Sequence, residues 1–181
     1  MSFISVRYFK SEIGELIIGS YENELCLLDY RYRNMRASID SRISKGLNAR
    51  FVEQNSSVPV IENTISQLKE YFTGSRYDFT VKIRTVGTEF QNQVWDSLCK
   101  IPYGETTTYL KLAKSIGNEK AVRAVASANG ANAIGIIIPC HRVIGSDGSL
   151  VGFAGGLTAK RKLLKLEQSD SMQKNQLPLF D

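Results

Sequence analysis

The chain reads as a two-domain α+β protein, and three observations predict it. The first fifty residues alternate, or run apolar in short stretches, between turn residues, as an antiparallel meander does. From Thr88 onward the apolar residues recur at helical spacing instead. Between these regions, Arg84 to Gly87 continues neither pattern. The expected organisation is a sheet-and-helix domain over residues 1–86, a helical domain over 87–168 and a flexible polar tail over 169–181.

Phe3 to Lys10 alternates, with Ile4, Val6 and Tyr8 on one face. Glu12-Ile13-Gly14 is a turn, and Glu22-Asn23-Glu24 separates the apolar runs Leu16 to Ser20 and Leu25 to Tyr30. Arg31 to Val58 is polar, without period, and reads as a loop. Pro59 suits the first position of a helix, Ile61, Ile65, Leu68 and Phe72 fall on one face of it, and Gly74 closes it. Tyr77 to Ile83 reads as a strand.

Thr88 and Gln91 have the spacing of a capping box at the next helix, whose stripe is Phe90, Val94, Leu98 and Ile101. Pro102-Tyr103-Gly104 is a sharp turn. A short helix carries Tyr109, Leu112, Ala113 and Ile116 and stops at Gly117. Asn118 is placed to cap the following helix, which turns Val122, Val125 and Ala126 inward and ends at Gly130. Two short helices around a Gly-Asn turn make a helix-turn-helix. Ile134 to Ile138, broken only by Gly135, reads as a buried strand, and Thr158 starts a last helix with Leu163, Leu164 and Leu166.

The 181 residues are 43% hydrophobic and 23% charged, which places the chain among globular proteins able to bury a core rather than disordered ones. The formal net charge of +5 fits a polyanionic partner without requiring one. The 3 cysteines, Cys26, Cys99 and Cys140, are odd in number and far apart, so a disulfide scaffold is not expected and a reducing cytoplasm is. With a single histidine and no CxxC pair, a zinc site is not expected. Met1 to Lys10 lacks the apolar run of a signal peptide, and no segment has the length of a membrane span.

The chemistry concentrates at Pro139-Cys140-His141-Arg142. A thiol is a strong nucleophile only as thiolate, and an adjacent base makes that form accessible at neutral pH. The run Ile138 to Leu157, IPCHRVIGSDGSLVGFAGGL, resembles the signature of the O6-alkylguanine-DNA alkyltransferases, the methylated-DNA–protein-cysteine methyltransferases. Phe90 to Leu98 is similar to that family's aromatic-rich opening helix, Ile101 to Tyr109 to its IPYGE-then-Tyr segment, and Lys120 to Val125 to its recognition helix. The likeness is far weaker over the N-terminal half.

The resemblance implies a ribonuclease-H-like N-terminal domain and a winged-helix-like C-terminal domain. It implies cofactor-free repair of O6-alkylguanine in double-stranded DNA by displacement, with the alkyl group passing irreversibly to Cys140. A thioether has no easily expelled group, so each molecule acts once. His141 would take the thiol proton, Glu167 would orient the ring, Asn132 would fix the geometry, and Tyr109 would contact the base and help the leaving group. Arg123 would fill the space left by a flipped nucleotide, and Asn118 and Ser146 would contact the DNA backbone. Ala124, Ser127 and Ala128 around Arg123 are small enough for close approach.

Val143 would read the guanine amino group through its carbonyl, beside a pocket wall of Phe153, Ala154 and Gly155. Some family members carry Tyr and Ser where this chain has Phe153 and Ala154, so both hydroxyls are missing from that wall. Gln176, Leu177, Leu179 and Phe180 in the tail resemble the peptide that docks bacterial repair proteins on the sliding clamp. The expected protein is a monomer with no membrane partner. The alternatives are a lesion-binding alkyltransferase-like protein, a helix-turn-helix regulator and a cysteine hydrolase; the first lacks the reactive cysteine, the second has no use for this motif, and the third would turn over.

Overall fold

The computed structural model describes residues 2–168, so the tail and its clamp-like peptide lie outside the described residues. β1 (Ser2–Ser11), β2 (Gly14–Tyr21) and β3 (Glu24–Tyr30) form the expected antiparallel meander. Glu22 and Asn23 both take positive φ, 49° and 63°, the primed geometry that matches strand twist in a tight hairpin.

Residues 31–58 are not a loop. They contain α1 (Arg36–Leu47) and β4 (Ala49–Glu53), and β4 pairs parallel with β1, giving the strand order β3-β2-β1-β4. The helix is quiet in sequence because only Ile39 and Ile43 are buried, and its flanks Met35 and Asn48 are left-handed with no side-chain cap. The sheet is covered on both faces. Leu16, Ile18, Leu28 and Tyr30 belong to a core shared with the C-terminal helices, while Ile4, Val6, Ile17 and Leu27 pack with Ile39 and Ile43. Burial on both sides explains why β3 is a continuous apolar run rather than an alternation.

α2 (Pro59–Phe72) opens at Pro59, and its buried face is Ile61, Thr64, Gln67, Leu68 and Tyr71, leaving Ile65 and Phe72 at the flank. The strand expected over Tyr77 to Ile83 does not form. Ile83 makes one parallel bridge to Leu25, and the Gln67 side chain takes the place of a strand neighbour, accepting from the Thr80 amide and donating to its hydroxyl at 2.9 Å each.

α3 (Glu89–Leu98) carries both hydrogen bonds of the capping box between Thr88 and Gln91. α4 (Tyr109–Ser115) ends before Gly117, whose φ of 74° a side chain would resist. Asn118 does not cap the following helix. A 3-10 turn, Glu119–Ala121, intervenes, and the Asn118 side chain makes no capping bond. α5 (Val122–Gly130) then buries Val125, Ala128 and Asn129, and α6 (Gly156–Leu166) starts two residues ahead of Thr158. Among the described residues no helix is long and apolar enough to cross a membrane.

Two sets of hydrogen bonds tie the N-terminal half to residues 130–135. The Leu28 amide donates to the Ala133 carbonyl at 2.8 Å and the Gly135 amide donates to the Leu28 carbonyl at 2.7 Å, so residues 133–135 extend the free edge of β3. Arg33 donates to the carbonyls of Gly130 and Asn132, and Arg42 to that of Ala131. These are carbonyls that the C-terminal end of α5 leaves without helical partners, and cations are favoured there.

Candidate active site

Ile134 to Ile138 is a chain of tight turns, not the strand its composition indicates. Ile137 donates to Gly135, Ile138 to Ile134 and Cys140 to Ile138, and Ile136 is held at φ 70°. That conformation is unfavourable for a β-branched residue, and the Asn132 side chain braces it. Its oxygen accepts from the Ile134 amide and its nitrogen donates to the Ile138 carbonyl, both at 2.9 Å. The turns deliver Cys140 to the start of a 3-10 turn, Cys140–Arg142.

Cys140 is 6% exposed. Burial pushes its thiol up, against a hydrogen bond from Asn132 and the nearby charges of Lys160 and Arg33, which draw it down. Burial likewise holds His141 below the usual imidazole range, although Glu167 works in the other direction. The resting pair is therefore a neutral thiol and a neutral imidazole. His141 Nε2 lies 2.9 Å from Glu167 Oε1. An ionised carboxylate can only accept, so Nε2 carries the hydrogen and Nδ1 is the basic nitrogen. Nδ1 is buried with no hydrogen-bond partner among the described residues.

Glu167 is the anion that holds this end of the site. Burial alone would raise its carboxyl, but hydrogen bonds from His141 and Arg142 outweigh that and keep it well below the usual carboxylate range. Arg142 binds it through Nε to Oε2 at 2.8 Å and Nη2 to Oε1 at 2.9 Å, and donates its third group to the Ile101 carbonyl. Tyr71, on α2, donates to Oε1 at 2.6 Å. Four donors thus converge on one carboxylate, and one of them comes from the N-terminal half.

Tyr109 starts α4 at the end of β5 (Thr107–Thr108), which pairs parallel with β6 (Val143–Ile144). This short ladder puts Tyr109 beside the strand that follows the Cys140 turn. Burial first, and Cys140 second, push its hydroxyl up while a hydrogen bond with Asn129 draws it down, so it stays protonated at neutral pH. The Val143 carbonyl accepts from the buried Lys160 ammonium at 2.5 Å, which also reaches the Val151 carbonyl at 2.7 Å. Lys160 is pushed down to about 8 by burial.

The Phe153 ring stands 6.4 Å from the His141 ring. Phe153, Ala154 and Gly155 are half-buried and form a wall on the same core as Cys140. Gly155 is there for a neighbour's sake. A Cβ on it would lie 2.2 Å from the end of the Tyr30 ring, which packs edge-on to Phe153 at 5.6 Å.

The structure thus brings Asn132, Cys140, His141, Glu167, Tyr109, Val143 and Phe153 into one region. It leaves Arg123, Asn118 and Ser146 exposed on the surface, with no contact to that network. Ala124 and Ser127 share the exposed face of α5 with Arg123, but Ala128 does not. It is 3% exposed on the inner face, and its carbonyl accepts from the Trp95 indole.

Two family profiles match the chain: the 6-O-methylguanine DNA methyltransferase ribonuclease-like domain over residues 4–85, and its DNA-binding domain over 89–169. A methylated-DNA–protein-cysteine methyltransferase of Methanosarcina barkeri is 44% identical over 161 residues, 89% of this chain and 95% of that one. This chain belongs to that family. A Mycobacterium leprae methyltransferase of the same name is 39% identical over 181 residues, 98% of this chain and 99% of that one. Among solved structures, Mycobacterium tuberculosis OGT in complex with DNA superposes with a TM-score of 0.78 at 36% identity, covering 93% of this chain and 97% of that one. The methyltransferase fold, a sheet domain followed by a helical DNA-binding domain, is the α+β architecture expected from sequence.

Three residues of the network, Lys160, Tyr71 and Tyr30, were not singled out from sequence. Lys160 lies three and four residues before Leu163 and Leu164, so helical spacing put it on the buried face of α6. Tyr71 sits three residues after Leu68 in the same way. Arg142 was read as part of the motif, but nothing local announced that it would bind Glu167 through two nitrogens. Tyr30 gives no sign beyond ending an apolar strand.

Proposed function

We propose that this protein repairs O6-alkylguanine in DNA by moving the alkyl group, once and irreversibly, onto Cys140. The observation that carries this reading is the buried chain of Asn132, Cys140, His141 and Glu167 inside a methyltransferase fold. As the damaged base enters, the thiol proton passes to His141 Nδ1, directly or across a water. Glu167 stabilises the imidazolium, while Asn132 and the Lys160 charge favour the thiolate. The sulfur then attacks the alkyl carbon, a C–S bond forms, and the C–O6 bond breaks with its electron pair leaving on guanine. The Tyr109 hydroxyl supplies a hydrogen bond or proton to that leaving group. The Val143 carbonyl accepts from the guanine amino group.

O6 of a paired guanine lies inside the duplex, so the nucleotide must leave the stack. Arg123 is exposed on α5 beside Ala124 and Ser127 and is suited to fill the space, with Asn118 and Ser146 reaching the DNA backbone. A lesion-binding protein without chemistry fits less well, because it has no need of a cysteine braced in this way. The natural setting is the reducing cytoplasm, with a monomer meeting double-stranded DNA. The test is intact-protein mass spectrometry after incubation with duplex containing O6-methylguanine. One added methyl, mapped to Cys140, is the expected result, and no mass change at equimolar DNA overturns the reading.

Flipping predicts a divided phenotype. Arg123→Ala should slow repair in duplex by about tenfold or more, because unstacking costs a few kcal/mol, yet leave reaction with free O6-methylguanine base within about twofold. Equal losses in single-turnover assays on both substrates would move Arg123 into the chemistry or the fold.

The tail peptide Gln176-Leu177-Pro178-Leu179-Phe180 supports a second contact, with the bacterial sliding clamp. Leu179 and Phe180 would be its apolar anchors, and its benefit would be local concentration near replicating DNA. A peptide of residues 173–181 should bind the clamp, and equal binding after both anchors become alanine would exclude this role.

A further inference from the structure

The first half of the chain enters the active site at Tyr30. Residues 133–135 extend the edge of β3 at Leu28, and Tyr30 lies two residues further along on the same face. Its ring therefore projects into the core that holds Cys140. The ring ends over Gly155, where a Cβ would meet it at 2.2 Å, and stands edge-on to Phe153, itself beside His141. Tyr30 is 8% exposed, and its hydroxyl is buried with no hydrogen-bond partner among the described residues. Phenylalanine would pack there without an unsatisfied polar atom, and such atoms are disfavoured in cores. What the packing against Gly155 and Phe153 fixes is therefore the ring. Burial, then the nearness of Cys140, push that hydroxyl up, which places a neutral phenol near the sulfur.

We propose that Tyr30 is a specificity-determining residue, whose ring closes the alkyl side of the base pocket against Gly155 and Phe153 and restricts transfer to small alkyl groups. The assignment rests on the alkyl-transfer reading above. In-line displacement puts the reacting carbon between O6 and the Cys140 sulfur, so a methyl group needs no further space. Anything larger must extend sideways from that line, and beside Gly155 the space belongs to the Tyr30 ring. The glycine at 155 thus admits a side chain from the other half of the protein. The missing hydroxyls at Phe153 and Ala154 leave Tyr30 as the phenol on this wall.

The experiment compares single-turnover rates on duplexes carrying O6-methylguanine and O6-benzylguanine for the full chain, Tyr30→Leu, Tyr30→Met and Tyr30→Phe. The benzyl-to-methyl ratio is taken within one preparation, so a loss of active protein cancels. Removing the ring in Tyr30→Leu should raise the ratio at least about tenfold, and Tyr30→Met should raise it in the same direction, as expected when pocket volume discriminates. Tyr30→Phe keeps the ring and should leave the ratio within about twofold. An unchanged ratio in both Leu and Met variants, with methyl transfer intact, overturns the assignment alone. A shift in Tyr30→Phe as large as that in Tyr30→Leu also overturns it, because the hydroxyl rather than the ring would then set specificity. Absence of methyl transfer by the unaltered protein overturns the alkyl-transfer reading itself.

Discussion

Cys140→Ser is expected to abolish alkyl transfer while preserving binding to duplex containing O6-methylguanine. The substitution changes one atom, so the pocket walls at Val143, Phe153 and Gly155 keep their places. What changes is nucleophilicity. A serine hydroxyl is far harder to deprotonate than a thiol, and burial opposes the anion further, as it already does for the Cys140 thiol. The single-turnover rate should fall by about 10³-fold or more, in line with loss of a nucleophile elsewhere. The other two thiols cannot substitute. Cys26 is buried in the far core and pushed up to about 12, and Cys99 is exposed just past the end of α3, apart from the Asn132, His141 and Glu167 network. Mass spectrometry of the variant should show no added methyl on any peptide, and a methyl gained elsewhere would reassign the acceptor.

The sequence made the C-terminal half legible because its signals are local. Thr88 and Gln91 cap α3 as their spacing requires, and Gly117 stops α4 at a positive φ. The acceptor motif was equally plain. What escaped was decided at long range. α1 buries only Ile39 and Ile43, and what holds its start lies outside the helix: Arg36, and Arg33 just before the helix, both pair with Asp29 on β3. Ile134 to Ile138 has the composition of a strand, yet the Asn132 side chain folds it into turns. Tyr77 to Ile83 lost its partner strand to a glutamine side chain. No local pattern could announce that Tyr71 would reach Glu167, 96 residues away, or that Tyr30 would need a glycine at 155.

Those two tyrosines bring the N-terminal half into contact with the site. Tyr71 holds the carboxylate that orients His141, and Tyr30 meets the pocket wall. Arg33 and Arg42 grip the end of the helix that carries Arg123. The sheet domain therefore holds both the Glu167–His141 pair and the end of α5, and its separation from the second domain should impair transfer as well as stability.

The Glu167 carboxylate is where a single substitution should cost the fold most. Three groups of Arg142 and His141 and one of Tyr71 donate to it, and none has an alternative acceptor at that point. Glu167→Gln removes the negative charge and turns one acceptor into a donor, so at least one donor meets another donor. It also leaves the Arg142 guanidinium buried without a counter-charge. Breaking a buried pair in this way typically costs about 3–5 kcal/mol. At neutral pH that corresponds to a Tm lowered by roughly 6–20 °C for a chain of this size. Transfer should slow as well, because the imidazolium formed at His141 loses its partner.

The pH dependence separates charge from packing. The Glu167 carboxyl is depressed in the folded protein, so its stabilisation is fully present above the ordinary carboxyl range, near about 4.3. It is lost as pH falls through the lower folded value. The Tm difference between the two proteins should therefore be largest at neutral pH and shrink as melts are taken below about pH 4. A difference that stays constant across that range would assign the loss to shape rather than to the carboxylate charge.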